Sequence, residues 1–474
     1  MANNQQPNLS VGRNMKIGLF HLGSGMADVV TTGVWNRIMI SDLGFAATPV
    51  GILVSLRYFL APLGVWAGRV SDQRTVMGTR RLFWVWLGRA MMVLSTLGLG
   101  GLTALLVDGQ PATMLVWSGL VVSLLLFSLG SAISGSTFLA LIYDRAGEAQ
   151  RGRAVGVVWT FLLLGFTVGG VFFGLLLPSD ANTFMDYVLL PSALGQPIEP
   201  PGFSADALLT LFIVAAAVMG ALWFVSVWRE ERHARRIDNA PGSAPETSMM
   251  QDLSLAWRSR PMRFFMFYLS LSMIFAFSQD LVLEPFAADV FGTSAANTTR
   301  FSAYWGGASI LGTIMFLVMA RRYRFLTNTV MSYAGVILLF FTFMLFAYSA
   351  LGHVEAVIIP GLILLGLGLG FWNVGTLGLM MDMSPASRAG TFLGFWTLVV
   401  TLSRGLGVSG GGVMRDLVLR VSGDLALSYG MVFVVGVVGL GVSLWTLSQV
   451  NVLAFQDDVP QPAEAETVFV GAMD

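Results

Sequence analysis

Cysteine is absent from all 474 residues of the sequence. That excludes disulfides, thiolate metal sites and cysteine nucleophiles. Histidine occurs three times, as His21, His233 and His353, so a zinc site built on several His and Cys ligands is excluded as well. Charge is scarce: Asp, Glu, Lys and Arg make up 11% of the chain, less than half of the ~25% with which a soluble domain covers its surface. The 27 basic and 27 acidic residues cancel, leaving no positive surplus for nucleic acid. There is no Gly-Lys-Ser/Thr phosphate loop, no two-His metal motif and no nucleophile elbow, so the expectation is a protein that is not an enzyme.

What fills the chain instead is apolar. Hydrophobic residues account for 55% of it and the mean hydropathy is +0.73. The 54 glycines and 13 tryptophans fit membrane helices, in which glycine and interfacial aromatics both rise. A bilayer core of ~30 Å takes about 20 apolar residues per helix. On that measure the sequence predicts twelve spans, at 17–40, 49–68, 82–106, 113–142, 154–177, 207–228, 264–288, 301–320, 327–350, 356–381, 391–413 and 425–447. Residues 1–14 are polar and the first apolar stretch is itself long enough to cross, so no cleavable leader is expected.

Arginine sets the orientation. Arg13 and Lys16 precede the first span; Arg69, Arg74, Arg80 and Arg81 follow the second; Arg145, Arg151 and Arg153 follow the fourth. A further group lies between the sixth and seventh, and others follow the eighth and tenth. Together these are twenty of the 27 basic residues, all on one side. That side is expected to face the cytoplasm, with both termini, in a bacterial inner membrane. The predicted organisation is a cytoplasmic segment at 1–16, a six-helix bundle at 17–228, a cytoplasmic linker at 229–263, a second six-helix bundle at 264–447 and an acidic tail at 448–474. The Pro/Gly/Ser-rich stretch at 238–248 reads as flexible, and the tail reads as disordered.

The halves echo each other. RGRAVGVVWT at 151–160 and RAGTFLGFWT at 388–397 repeat Arg, Trp and Thr at the same spacing, preceded by Asp144 and Asp382. Parallel six-helix repeats are the architecture of the major-facilitator fold. The loop GRVSDQRTVMGTRR at 68–81 resembles the major-facilitator signature. In it Gly68 is expected to let helix ends approach, Asp72 to accept from backbone donors at a facing helix N-terminus, and Arg80 and Arg81 to close the network. Asp144, Arg151, Asp382 and Arg388 complete the predicted gating loops.

A charged side chain at the bilayer centre costs about 2.5–3.5 kcal/mol or more, so each one asks for a reason. The predicted spans carry His21, Asp28, Arg37, Arg57, Arg89, Asp280, Glu284 and Arg404. His21, Gly25, Asp28, Thr32 and Trp35 are spaced by three or four and are expected on one helix face. Asp280 and Glu284, four apart, are expected on another, and Trp372 and Asn373 join them if the first, fourth, seventh and tenth helices line a central cavity. The carboxylates admit two readings: proton coupling, or pairing with Arg57 and Arg404. His21 admits two: an interfacial histidine, or an axial ligand to a chlorophyll-type magnesium. The glycine pairs 165/169, 170/174, 366/370 and 407/411 are expected to mark close helix crossings.

The segment SQDLVLEPFAADVFGTSAANTTRFSAYWGG at 278–307, with its Gln-Asp, Leu-Glu-Pro and Asp-Val-Phe-Gly, resembles the helix 7–8 region of the PucC/LhaA family. GMADVVTTGVWNRIMISDLG at 25–44 resembles that family's first helix. The resemblance implies a bacteriochlorophyll-delivery branch of the major facilitators, needed to assemble light-harvesting antennae. It implies bacteriochlorophyll as cargo, antenna polypeptides and pigment-synthesis enzymes as partners within the lipid membrane, and no ordinary transport. Carried onto matching positions it makes Asn36, Arg37, Asp280, Glu284 and Pro285 candidate functional residues. Pro285 also frees the carbonyl of Leu281, predicting a kink in the seventh helix. A proton-coupled transporter of a small amphipathic solute and a pigment-free chaperone of antenna helices are the alternatives.

Overall fold

The computed structural model describes residues 9–146, 150–177, 204–231, 260–323, 325–384 and 389–452. Among them are twelve membrane passes and no β-sheet. In the first half these are α1 (Val11–Asp28, continued by π-helical turns Val29–Trp35 and Ile38–Asp42), α2 (Ala47–Gln73), α3 (Leu82–Val107), α4 (Met114–Arg145), α5 (Arg151–Leu176) and α6 (Ala205–Val227). The second half has α7 (Arg260–Ala276, resuming as Leu283–Phe291), α8 (Ala295–Thr299, then Phe301–Arg322), α9 (Asn328–Gly352), α10 (Ile358–Asp382), α11 (Ala389–Ser422) and α12 (Leu425–Ser448). The linker at 238–248, His233, the acidic tail from 456 and Arg388 lie outside the described residues.

Nine of the passes are long and apolar enough to cross a membrane outright. The other three, α1, α7 and α11, are those interrupted or diluted by His21, Asp28 and Arg37, by Asp280 and Glu284, and by Arg404, Arg415 and Asp416. The protein is a multi-pass membrane protein, and its intramembrane charge is concentrated in these three helices.

Neighbour relations show the repeat. In the first half α1 packs on α5 and α6, α3 on α4 and α6, and α2 on α4. In the second half α7 packs on α11 and α12, α9 on α10 and α12, and α8 on α10. Every pair recurs six helices later. The halves meet through α2 against α11 and α5 against α8, which are themselves exchanged by the same shift.

Small residues make these crossings possible. A Cβ on Gly25 would lie 2.3 Å from the Leu162 carbonyl, and one on Gly165 2.4 Å from that of Leu22, so α1 and α5 touch backbone to backbone. Gly366 faces the Trp305 carbonyl, Gly407 that of Ile274 and Gly411 that of Ser278. Gly170 and Gly174 face Ala303 and Arg300 across the seam between halves. The predicted glycine crossings are all present.

Gly68 is the exception. Nothing lies within 4 Å of where its Cβ would be, so it permits no close approach. The crossing of α2 on α4 is made one turn earlier, at Gly64, where a Cβ would lie 2.7 Å from the Ala132 carbonyl.

Candidate functional site

The intramembrane charges fall into three groups. At the centre, Arg57 of α2 pairs with Asp28 of α1, and Arg404 of α11 pairs with Asp280 at 3.0 Å. Tyr58 stands between them: Arg57 Nη2 donates to its hydroxyl at 2.7 Å, and the two guanidinium carbons lie 4.7 Å and 5.2 Å from its ring centre. Arg404 also rests on Phe277, 4.1 Å from the ring centre, and Gln279 donates to Asp280 at 2.6 Å. Each half therefore supplies one matched pair, and the pairs abut across the seam. Of the two readings of the carboxylates, this is the arginine pairing.

The second group lies towards the arginine-poor face. The seventh helix breaks between Ala276 and Leu283, so Asp280 and Glu284 do not share a helix face as their spacing predicts. Asp280 sits in the break and turns to Arg404. Glu284 sits in the first turn of the resumed helix, buried, against Gly33 of α1. Its Oε2 has no hydrogen-bond partner. The break follows from Pro285, which cannot donate to the carbonyl four residues back. That carbonyl, of Leu281, accepts instead from Asn36 Nδ2 at 2.8 Å. Asn36 is fully buried, and its Oδ1 accepts from the Arg37 amide at 2.7 Å. Arg37 pairs with Asp42 at 2.6 Å and reaches the Thr293 carbonyl at 3.2 Å. Thus Asn36 and Arg37 of the first half hold the broken helix of the second.

A third group is set apart within the first half. His21 is buried among Phe20, Phe138 and Trp159, with ring centres 5.8 Å, 5.1 Å and 5.9 Å away. Its Nδ1 has no partner. Beside it Arg89 lies between the rings of Phe20 at 4.0 Å and Trp223 at 4.7 Å. Trp35 donates to Thr103 of α3 at 3.0 Å. His21 and Asp28, seven apart, lie on the uninterrupted helix Val11–Asp28. Trp35 follows the π-helical turns from Val29, which shift the register, so it leaves the face that its spacing predicts. On α10, Trp372 is buried against Phe277, 6.0 Å between ring centres, whereas Asn373 is exposed.

The loops at the arginine-rich face are networked. Asp72 accepts from Arg80 Nη2 at 2.9 Å and from Arg81, and Arg81 Nε donates to Asp144 at 3.1 Å. Among the described residues Asp72 meets no backbone donor. That role belongs to Glu231, whose carboxylate accepts from the amides of Arg80, Arg81 and Leu82 at 2.8–2.9 Å and so caps α3. In the second half Asp382 accepts from Asn328 at 2.9 Å. Of Arg151 only the backbone is described.

Two partners have no local sequence signal. Glu231 is one. The other is Asp416 of α11, which accepts from the amides of Ala47 and Thr48 at 3.0 Å and 2.7 Å. It caps α2 from the opposite half, at an end whose own cap residue, Ala46, offers no side-chain acceptor. Arg415 links Asp416 at 3.0 Å to Asp289 at 3.4 Å.

Comparison with known proteins adds to this geometry. The model of the PUCC protein family matches residues 34–455. Asn36, Arg37, Asp280, Glu284 and Pro285 fall inside the match, and His21 and Asp28 precede it. The "Protein PucC" of Rhodovulum sulfidophilum is 28% identical over 422 residues, covering 86% of each chain. The "Bacteriochlorophyll synthase 44.5 kDa chain" of Rhodobacter capsulatus is 29% identical, covering 88% of this chain and 90% of that one. Among solved structures, a bacterial homolog of the human lysosomal transporter Spinster superposes with a TM-score of 0.70 at 14% identity, covering 95% of this chain and 98% of that one. A D-xylose–proton symporter superposes at 0.60 and 12% identity, with 92% and 97% covered. The fold is that of the major facilitators.

Proposed function

The chain belongs to the PUCC protein family, and from that membership we propose that it serves the photosynthetic apparatus as an assembly factor. In this reading it binds or delivers bacteriochlorophyll to antenna polypeptides and is not an enzyme. It works in a bacterial inner membrane with the arginine-rich face in the cytoplasm, and pigment-synthesis enzymes are its upstream partners. The family match over nearly the whole membrane domain carries the reading, and the names borne by the bacterial relatives support it.

The geometry is compatible with such a cargo. Bacteriochlorophyll is large, flat and membrane-soluble, so it needs a lateral apolar surface and not a polar tunnel across the bilayer. Asp28 and Asp280 are each matched by an arginine, so the centre offers the cargo neutral pairs instead of net charge. The candidate residues are Asn36, Arg37, Glu284 and Pro285, which are buried in the seam where a first-half segment grips the broken seventh helix, so they meet the cargo only when the halves part there. His21 is walled in by three aromatic rings in this arrangement, which leaves it no face for a macrocycle.

Antenna absorbance in a deletion strain complemented with variants tests the proposal. Glu284→Gln and Asn36→Ala are expected to lower it, with the protein still present in the membrane. Wild-type antenna from both variants at wild-type protein level would overturn the site assignment. Wild-type antenna in the deletion strain itself would overturn the function and return the reading to a solute transporter.

A further inference from the structure

A separate cavity of about 670 Å³ opens at the arginine-rich face. It lies between the start of α1, the end of α4 and the end of α6, and is lined by Gly12, Arg13, Lys16, Arg145, Trp228, Arg229 and Glu230. Four of these are cations and one is an anion.

Among the described residues the charge ledger of this rim does not close. Glu230, buried, is fully taken by Arg13 Nε at 2.6 Å and Lys16 Nζ at 3.0 Å. Lys16 is further fixed by the Trp228 carbonyl at 2.8 Å. The other described carboxylates nearby are committed elsewhere: Glu231 to the α3 amides, Asp144 to Arg81, and Asp72 to Arg80 and Arg81. Arg145 and Arg229 line the cavity with no ion pair among the described residues. Arg229 is held there by a left-handed backbone, φ 60°, which is uncommon for a residue with a Cβ.

The cavity also has an apolar lip. Trp228 is 55% exposed, and Val225, one turn deeper on the same face of α6, is 57% exposed. Met15, one turn from Gly12 on α1, is 48% exposed. Arg145 and Trp228 stand where their helices end, and Val225 lies inside the apolar span of α6.

We propose that this cavity binds the phosphate of an anionic phospholipid, with Arg145 and Arg229 on the headgroup and the acyl chains along Trp228, Val225 and Met15. Basic pockets between helix ends recognise such headgroups, and a cluster of unpaired arginines at the lipid surface selects anionic over zwitterionic lipid. The exposed Trp228 in the lining, with exposed Val225 one turn along α6, favours a lipid over a free phosphate, which would leave them unused.

Native mass spectrometry of the full chain with phosphatidylglycerol and phosphatidylcholine tests this. Arg145→Gln/Arg229→Gln is expected to lower phosphatidylglycerol retention about thirty-fold and to leave phosphatidylcholine unchanged. Arg153→Gln, an exposed arginine of the same face that does not line the cavity, is expected to match wild type. Thermal unfolding confirms that the variants fold. Equal retention of both lipids by wild type, or undiminished phosphatidylglycerol in a folded double variant, overturns the proposal. Arginine-dependent stabilisation by inorganic phosphate without lipid selectivity would assign the cavity to a soluble phosphate and overturn the lipid.

Discussion

Asn36 and Pro285 make a matched pair, although 249 positions separate them. Proline removes the donor that the Leu281 carbonyl would have had, and asparagine restores one from the other half. A buried acceptor left alone costs about 1–3 kcal/mol. Asn36→Ala is therefore expected to lower stability in detergent by that order. Pro285→Ala in the same chain returns a local donor and should recover part of the loss, so the two changes are less than additive. Strict additivity in a double-mutant cycle would contradict the pairing. The central charges behave likewise. Asp280→Asn strands Arg404 and is expected to cost about 3 kcal/mol, whereas Asp280→Asn/Arg404→Gln should cost less than the single change. Thermal unfolding of the three variants checks the order. The charged residues inside the predicted spans could be named from the sequence, because each is a costly exception in an apolar run, whereas Arg415 and Asp416 lie beyond the predicted end of their span. Which of them meet could not, since Arg404 and Asp280 lie 124 positions apart.

Helices were the most legible level. Twenty-residue apolar runs are dictated by bilayer thickness, and the predicted spans agree with the observed passes to within about five residues wherever a span is uninterrupted, except that α11 runs on to Ser422 past the predicted end at 413. The misses are in α1 and α7. There a period of 3.6 was assumed, and π-helical turns and a proline break intervene, so residues spaced by four part company. Glycine crossings were legible as spacing, but the loop glycine was not: Gly68 carries a signature motif and faces open space, while Gly64 carries no motif and touches backbone. Gly68→Ala is accordingly expected to leave stability within about 0.5 kcal/mol of wild type. Gly25→Ala, with a Cβ 2.3 Å from the Leu162 carbonyl, should separate α1 from α5 and sharply reduce folded yield in size-exclusion profiles. Similar profiles for the two would contradict the crossing. The cap supplied to α2 by Asp416 is a contact between halves that no local pattern announces. Asp416→Ala is expected to cost about 1 kcal/mol and to speed amide exchange at 47–51, with α9 unaffected.

The whole molecule is two six-helix halves closed against each other from mid-membrane to the arginine-poor face. Asn36, Arg37, Asp416 and the glycines of α5 and α8 form the seam. Fold and family were legible together, because the twelve spans and the helix pairs repeated between the halves are present in the structure and the family match includes the 278–307 segment. The cargo was legible only through resemblance: apolar surface in a membrane protein is everywhere, and no residue pattern distinguishes a pigment-binding face from a lipid-facing one. The central claim is that this protein handles bacteriochlorophyll for antenna assembly. The most direct test is an absorption spectrum, with extracted pigment stoichiometry, of the full chain purified in mild detergent from a phototrophic host. The account predicts a near-infrared band with roughly stoichiometric bacteriochlorophyll that weakens in Glu284→Gln. A colourless preparation would contradict pigment binding: with antenna lost on deletion it would leave a pigment-free chaperone, and with antenna intact, a transporter.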